Sequence, residues 1–261
     1  MAIVKPFKAV RPSRDKVALV SSKSFDAYTD KELDAKLEFN PFTFLHILNP
    51  GYKYHQEFSG EQRFQMIHNR YEEFKENKIF IKDETASFYI YESSNAHDYF
   101  CGIIGATAVD DYNNGTIKKH EGTIKKREQL FETYLKTTGF NAEPVLLTYK
   151  DDEKFNTLLQ TLKKKRPEYE FSTTDKKLHR LWLVNDKKNI KNIISFFKDK
   201  EALYIADGHH RTASSSLLKT DLQAENINHK GDENYNFFMS YIIPESNLKI
   251  SEFNRFIKDL N

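Results

Sequence analysis

Apolar residues recur along this chain at two spacings. Thr29-Asp30-Lys31-Glu32 has the form of a capping box, a hydroxyl and a carboxylate placed to satisfy the free amides of a helix start. It predicts a helix to about Phe39, ended by Pro41. Ser59-Gly60-Glu61-Gln62 has the same form, and Phe64, Ile67, Tyr71 and Phe74 then keep helical spacing. Leu130, Phe131, Tyr134 and Leu135 predict a third helix, with Gly139 as its C-terminal cap. Phe155, Leu158, Leu159 and Leu162 predict a fourth, and Ile190, Ile193, Ile194 and Phe197 a fifth. A last helical stretch is expected from Thr212 to Lys219.

Strands are expected where β-branched and aromatic residues run together. These are the N-terminal segment around Val4, then 87–92, 101–110, 144–149, 178–184, 202–206 and 236–243. Asn113-Asn114-Gly115 is a turn signal. Strands and helices alternate irregularly, which predicts an α+β fold with a mixed sheet and peripheral helices, not a regular doubly wound sheet. Residues 1–261 read as a single α+β domain, with no internal repeat and no low-complexity linker.

Composition narrows the class. The 261 residues include 21 Phe and 14 Tyr, so an apolar fraction of 39% still closes a core, because aromatics bury large areas. The net charge of +2 gives no support to nucleic-acid binding, which usually needs a basic excess. One cysteine, Cys101, rules out an internal disulfide and a multi-cysteine zinc site. That suits a reducing cytoplasm. No apolar run reaches the roughly 18 residues a membrane span needs.

The chemistry concentrates in Asp207-Gly208-His209-His210-Arg211, between an expected strand and an expected helix. Gly208 permits a positive φ or a close backbone approach. A helix start offers free amides and the positive end of a dipole. Arg211 adds a planar fork of donors suited to phosphate or carboxylate, and the histidines add groups that exchange protons near neutral pH. Together these are the parts of an anion site. The plain alternative is a turn whose histidines cap the helix. Adjacent helical residues point about 100° apart, so His209 and His210 do not converge on one ion. One of them joined by Asp207, or by a carboxylate from elsewhere, stays open as a metal site.

A second polar tract, residues 118–127, precedes the third helix. Within it His120 and Glu121 carry polar chemistry, and Glu121 suits a general base or a metal ligand. Thr123 suits a helix cap or a phosphate contact. Lys126 and Arg127 place positive charge at a helix start, against the dipole, which fits either a solvated surface or an anionic ligand. Lys163-Lys164-Lys165-Arg166 reads as an exposed helix end, His46 and Trp182 as packed residues, and Cys101 as an inert thiol. There is no Walker-type loop, kinase catalytic-loop signature or nucleophile elbow in the sequence.

Several tracts together resemble the bacterial and archaeal family known as domain of unknown function 1015. They are Val4-Lys5-Pro6-Phe7 with Arg11-Pro12, residues 40–46, Asp111-Tyr112 to Gly115, His120-Glu121-Gly122-Thr123, Glu143-Pro144 to Tyr149, Ala206 to Arg211, and Asn254-Arg255. Family members are usually longer, which implies that a C-terminal portion is missing here. The stretch 21–28 departs from the family's Pro-Pro-Tyr-Asp-like pattern, with Asp26 in the place of its aspartate. The family is in turn similar to the ParB/sulfiredoxin superfamily, which includes nucleotide-binding partition proteins, sulfiredoxins and free serine kinases.

That resemblance implies a ParB/sulfiredoxin-like core. It implies ATP or ADP bound at Gly208, His209, His210 and Arg211, helped by His120, Thr123, Lys126 and Arg127. Glu121 or Asp207 would take a substrate proton or hold magnesium. The implied activity is a kinase acting on a small hydroxyl-bearing substrate such as serine. The alternative is a nucleotide-gated binding module of the partition-protein type, without metabolite kinase activity. Sulfiredoxin activity is discounted, because position 209 is histidine where that chemistry needs cysteine.

Overall fold

A computed structural model describes residues 1–250. Asn254 and Arg255 of the family resemblance lie outside the described residues.

The strands are β1 (Val4–Lys5), β2 (Val10–Pro12), β3 (Phe80–Lys82), β4 (Phe88–Ser94), β5 (Tyr99–Ala108) and β6 (Ile117–Lys118). They continue as β7 (Val145–Tyr149), β8 (Tyr169–Ser172), β9 (Leu178–Val184), β10 (Leu203–Asp207) and β11 (Phe237–Pro244). The helices are α1 (Val17–Val20), α2 (Asp30–Phe39), α3 (Leu45–Leu48), α4 (Gly60–Glu76) and α5 (Val109–Asn113), then α6 (Lys125–Thr138), α7 (Glu153–Leu162), α8 (Lys187–Lys198) and α9 (His209–Glu225).

One nine-stranded sheet runs in the order β6-β10-β7-β11-β5-β4-β9-β8, with β1 also paired to β5. The β10–β6 and β11–β7 pairs are parallel and the others antiparallel, so the sheet is mixed as expected. β2 and β3 form a separate antiparallel pair. The alternation in β10 marks one covered and one open face, up to a register shift between Ile205 and Asp207. Leu203 and Ile205 are buried, while Tyr204 and Asp207 are exposed.

Two apolar clusters hold the elements. The larger joins the sheet to α7 and α8 through Phe88, Ile103, Leu147, Tyr149, Phe155 and Phe197. Phe155 stacks on Phe196 with ring centroids 3.7 Å apart. The smaller ties α4 to β3 through Ile67, Phe74 and Phe80, with Phe64 and Tyr134 packed against it. Phe74 and Phe88 are almost wholly removed from water, and each such side chain contributes about 1.5–3 kcal/mol. Tyr134 belongs to α6 and Phe64 to α4, so this cluster also fixes those two helices against each other.

Several expectations need correction. The Thr29 box forms, with Thr29 and Glu32 exchanging hydrogen bonds. The Ser59 box does not. Ser59 makes no side-chain cap, and Gly60 begins α4 at φ +56°, which misaligns the residues a box must join. The strand expected to reach Asp110 stops at Ala108, and residues 109–113 form α5. The turn at Asn113-Asn114-Gly115 is therefore the end of a helix, with Gly115 at φ +79°. The basic run 163–166 is not wholly exposed. The Lys163 side chain is 9% exposed, and its Nζ donates to Glu92 Oε2 at 2.8 Å and to Tyr99 OH at 2.6 Å. Trp182 and His46 are buried as expected. Cys101 is also buried, and burial pushes its thiol up, away from the reactive thiolate.

Candidate functional site at the paired helix starts

β10 ends on Asp207, and Gly208 turns the chain directly into α9 at φ +99°, ψ 28°. Glycine is needed here on two counts. The dihedral is left-handed, and a Cβ would lie 3.0 Å from Arg211 Nε and 3.3 Å from Val145 Cα. α9 begins at His209, three residues earlier than the apolar pattern predicts, so His209, His210 and Arg211 form its first turn. The amide of Thr212 donates to the Gly208 carbonyl at 3.0 Å. Helix geometry leaves the amides of the three residues before it without intrahelical partners. Gly208 supplies no side-chain cap for them.

α6 starts beside this point. Glu121 Oε1 lies 3.1 Å from His209 Nδ1, and at the other end Lys136 Nζ donates to Glu225 Oε1 at 2.8 Å. The helices therefore run side by side in the same direction, with their N-terminal ends together. Two helix dipoles present positive ends to one region, and the two polar tracts meet there. They meet through Glu121 and His209. Arg211 instead forms ion pairs with Asp207 and with Glu143.

The remaining expected residues divide. Thr123 does not cap α6: its hydroxyl donates to the Glu128 carboxylate, and Ile124 occupies the N-cap without a side-chain bond. Lys126 and Arg127 are exposed on the first turn of α6 and make no ion pair among the described residues. His120 sets its ring edge-on to His209, centroids 4.5 Å apart. His120, Glu121 and His209 each bring one ligand atom to within 4.8 Å of the others. His210 is not part of that group.

His209 is 5% exposed, and its Nε2 is buried without a hydrogen-bond partner. His210 Nδ1 is likewise buried and unpartnered. A buried polar atom without a partner costs about 1–3 kcal/mol, so both ring nitrogens are disposed to take one. Burial pushes His209 below the usual histidine pKa, and the Glu121 carboxylate opposes that shift.

A cleft of about 640 Å³ opens from Arg211 and Glu143. It is lined by Phe64 on α4, by Phe131 and Tyr134 on α6, by Arg63 and Asn141, and by the loop carrying Phe25 and Asp26. The volume is that of a small-molecule site. Asp26 thus stands in a loop that borders the cleft, the same loop in which the sequence departs from the family pattern. Sequence reasoning missed Glu143 as the partner of Arg211, 68 residues away, and missed the aromatic cleft entirely. The one available signal for Glu143 was its place beside Pro144 in a tract that resembles the family.

Among the described residues no helix is long and apolar enough to cross a membrane. No curated protein and no solved structure matches the chain. The family described as protein of unknown function, DUF1015, matches residues 4–261, almost the full length, and the chain belongs to that family.

Proposed function

We propose that the protein binds a nucleotide with its phosphates on the first turn of α9, and that it transfers a phosphoryl group to a small hydroxyl-bearing substrate. The observation that carries the reading is the meeting of two parallel helix starts, one opened by a left-handed glycine, with Arg211 of that turn lining a cleft that also holds aromatic side chains. The free amides of His209, His210 and Arg211 suit phosphate oxygens, and the apolar walls suit a planar base. The similarity of the tracts to the ParB/sulfiredoxin superfamily, and to its free serine kinases in particular, points the same way.

Arg211 is engaged by two carboxylates, of Glu143 and Asp207. Glu143 and Asp207 are 65% and 72% exposed, and exposed ion pairs contribute only about 0–1 kcal/mol. A phosphate therefore displaces them at small cost and takes the guanidinium fork. The transferred phosphoryl passes from its bridging oxygen to the substrate hydroxyl oxygen, and the hydroxyl proton goes to a carboxylate. Glu121 and Asp207 stand at this helix start and are the two candidates for that proton and for a metal ion. Such catalysis rests on positioning and charge stabilisation.

Isothermal calorimetry with ATP, ADP and CTP in the presence of magnesium tests the reading. At least one binds, and Arg211→Ala weakens it by about tenfold or more, as expected for loss of a charge-assisted contact of roughly 1.5–3 kcal/mol. If none of the three binds, the reading fails. Binding together with salt-dependent DNA retention, and with no phosphorylated serine in a product assay, would favour the nucleotide-gated module instead.

A further inference from the structure

We infer that His120, Glu121 and His209 form a binding site for a divalent transition metal ion of the zinc class. The inference concerns metal binding by the protein alone and holds whether or not a nucleotide binds. It begins with convergence. Three donors from two segments nearly ninety residues apart bring one atom each within 4.8 Å of the others. An ordinary hydrogen bond between His209 and Glu121 needs only two of them, and His120 is the third.

The spacing suits a metal. Ligand atoms about 2.0–2.1 Å from a tetrahedral ion lie roughly 3.3 Å apart. His209 Nδ1 and Glu121 Oε1 are 3.1 Å apart. The three ligand atoms, all within 4.8 Å of one another, close on an ion by small rotations, because His120 and Glu121 are exposed and only His209 is held in place. The buried His209 Nε2 has no partner with the ring proton on either nitrogen, so it does not decide between a proton and a metal at Nδ1.

The donor set chooses the ion. Two imidazoles and one carboxylate suit zinc and its first-row neighbours, whereas magnesium demands oxygen ligands in octahedral order. Three protein ligands on an exposed rim leave at least one coordination position open, as in catalytic zinc sites. One carboxylate does not neutralise a divalent ion, and the two helix starts add positive potential that disfavours the bare ion and is offset by a further anionic ligand. The bound ion therefore attracts an anionic further ligand. If the proposed function holds, that ligand is a phosphate oxygen, and Asp207 is left as the carboxylate that takes the substrate proton.

The experiment uses the full chain without a histidine tag, stripped with chelator, in buffer without nucleotide. Zinc is titrated against a chromophoric zinc indicator, on the wild type and on His120→Ala, Glu121→Gln and the double variant. The wild type takes up one equivalent, each single variant binds at least about tenfold more weakly, and the double variant loses the site. Both replaced side chains are exposed, and thermal melts confirm that the variants fold. Excess magnesium leaves zinc bound. The inference is overturned if the wild type binds no zinc, if the variants bind as tightly as the wild type, or if magnesium displaces zinc at comparable concentration. A calorimetric failure to bind nucleotide would sink the proposed function and leave this result untouched.

Discussion

At the scale of single residues, Gly208 sets the geometry on which the site depends. Its φ of +99° strains any side chain, and a Cβ there would press on Arg211 at 3.0 Å and on Val145 Cα at 3.3 Å. Gly208→Ala is expected to destabilise the fold by about 1–3 kcal/mol, the usual range for a non-glycine residue forced into such a conformation. It also shifts Arg211, so nucleotide affinity falls by more than the loss of stability explains. Urea denaturation and calorimetry on the same sample separate the two effects. A variant as stable as the wild type would show that the turn relaxes without strain. The sequence marked Gly208 and Arg211 as parts of an anion site or of a plain turn, because a glycine and a planar donor fork stand together at a strand-to-helix junction. Glu143 was not readable, since nothing local in its sequence indicates a partner 68 residues on.

At the scale of elements, two helix starts with the same sequence form behave differently. Thr29 accepts from the Glu32 amide while Glu32 accepts from the Thr29 amide. Thr29→Ala is expected to cost about 1 kcal/mol, measured as a shift in the denaturation midpoint. Ser59→Ala is expected to cost almost nothing, because Ser59 makes no cap bond. Equal losses in the two variants would contradict this assignment. The motif predicts a helix start in both places. Whether the cap forms depends on the dihedral of the next residue, and Gly60 takes a value that few other residues adopt. The same limit applies to α9. Its buried face, with Thr212, Ala213, Ser214 and Ser215, carries small and polar residues, so apolar periodicity underestimates its length.

At the scale of the whole molecule, burial makes the protein sensitive to acid. His46 and His179 are both held below the usual histidine pKa, chiefly by burial. A neutral histidine in the folded state that charges readily when unfolded means that the unfolded state binds more protons as pH falls. The associated stability is complete above the unfolded value of about 6.5 and is lost below it, down through the lowered folded values. The denaturation midpoint is therefore expected to fall between pH 7.5 and pH 5.5, before carboxylates titrate. An unchanged midpoint over that interval would show that these rings are solvated.

The chain by itself determined the α+β class, most strands and helices, and the identity of the polar tracts. Each of these rests on local periodicity, turn residues or a motif of a few neighbouring positions. The tertiary structure alone decided that α6 and α9 run parallel with their starts together, joined by Glu121 with His209 at one end and Lys136 with Glu225 at the other. It also decided that Arg211 turns to Glu143, and that aromatic side chains from α4 and α6 enclose a cleft beside it. Those relations link residues far apart in sequence, and no local periodicity or motif encodes them.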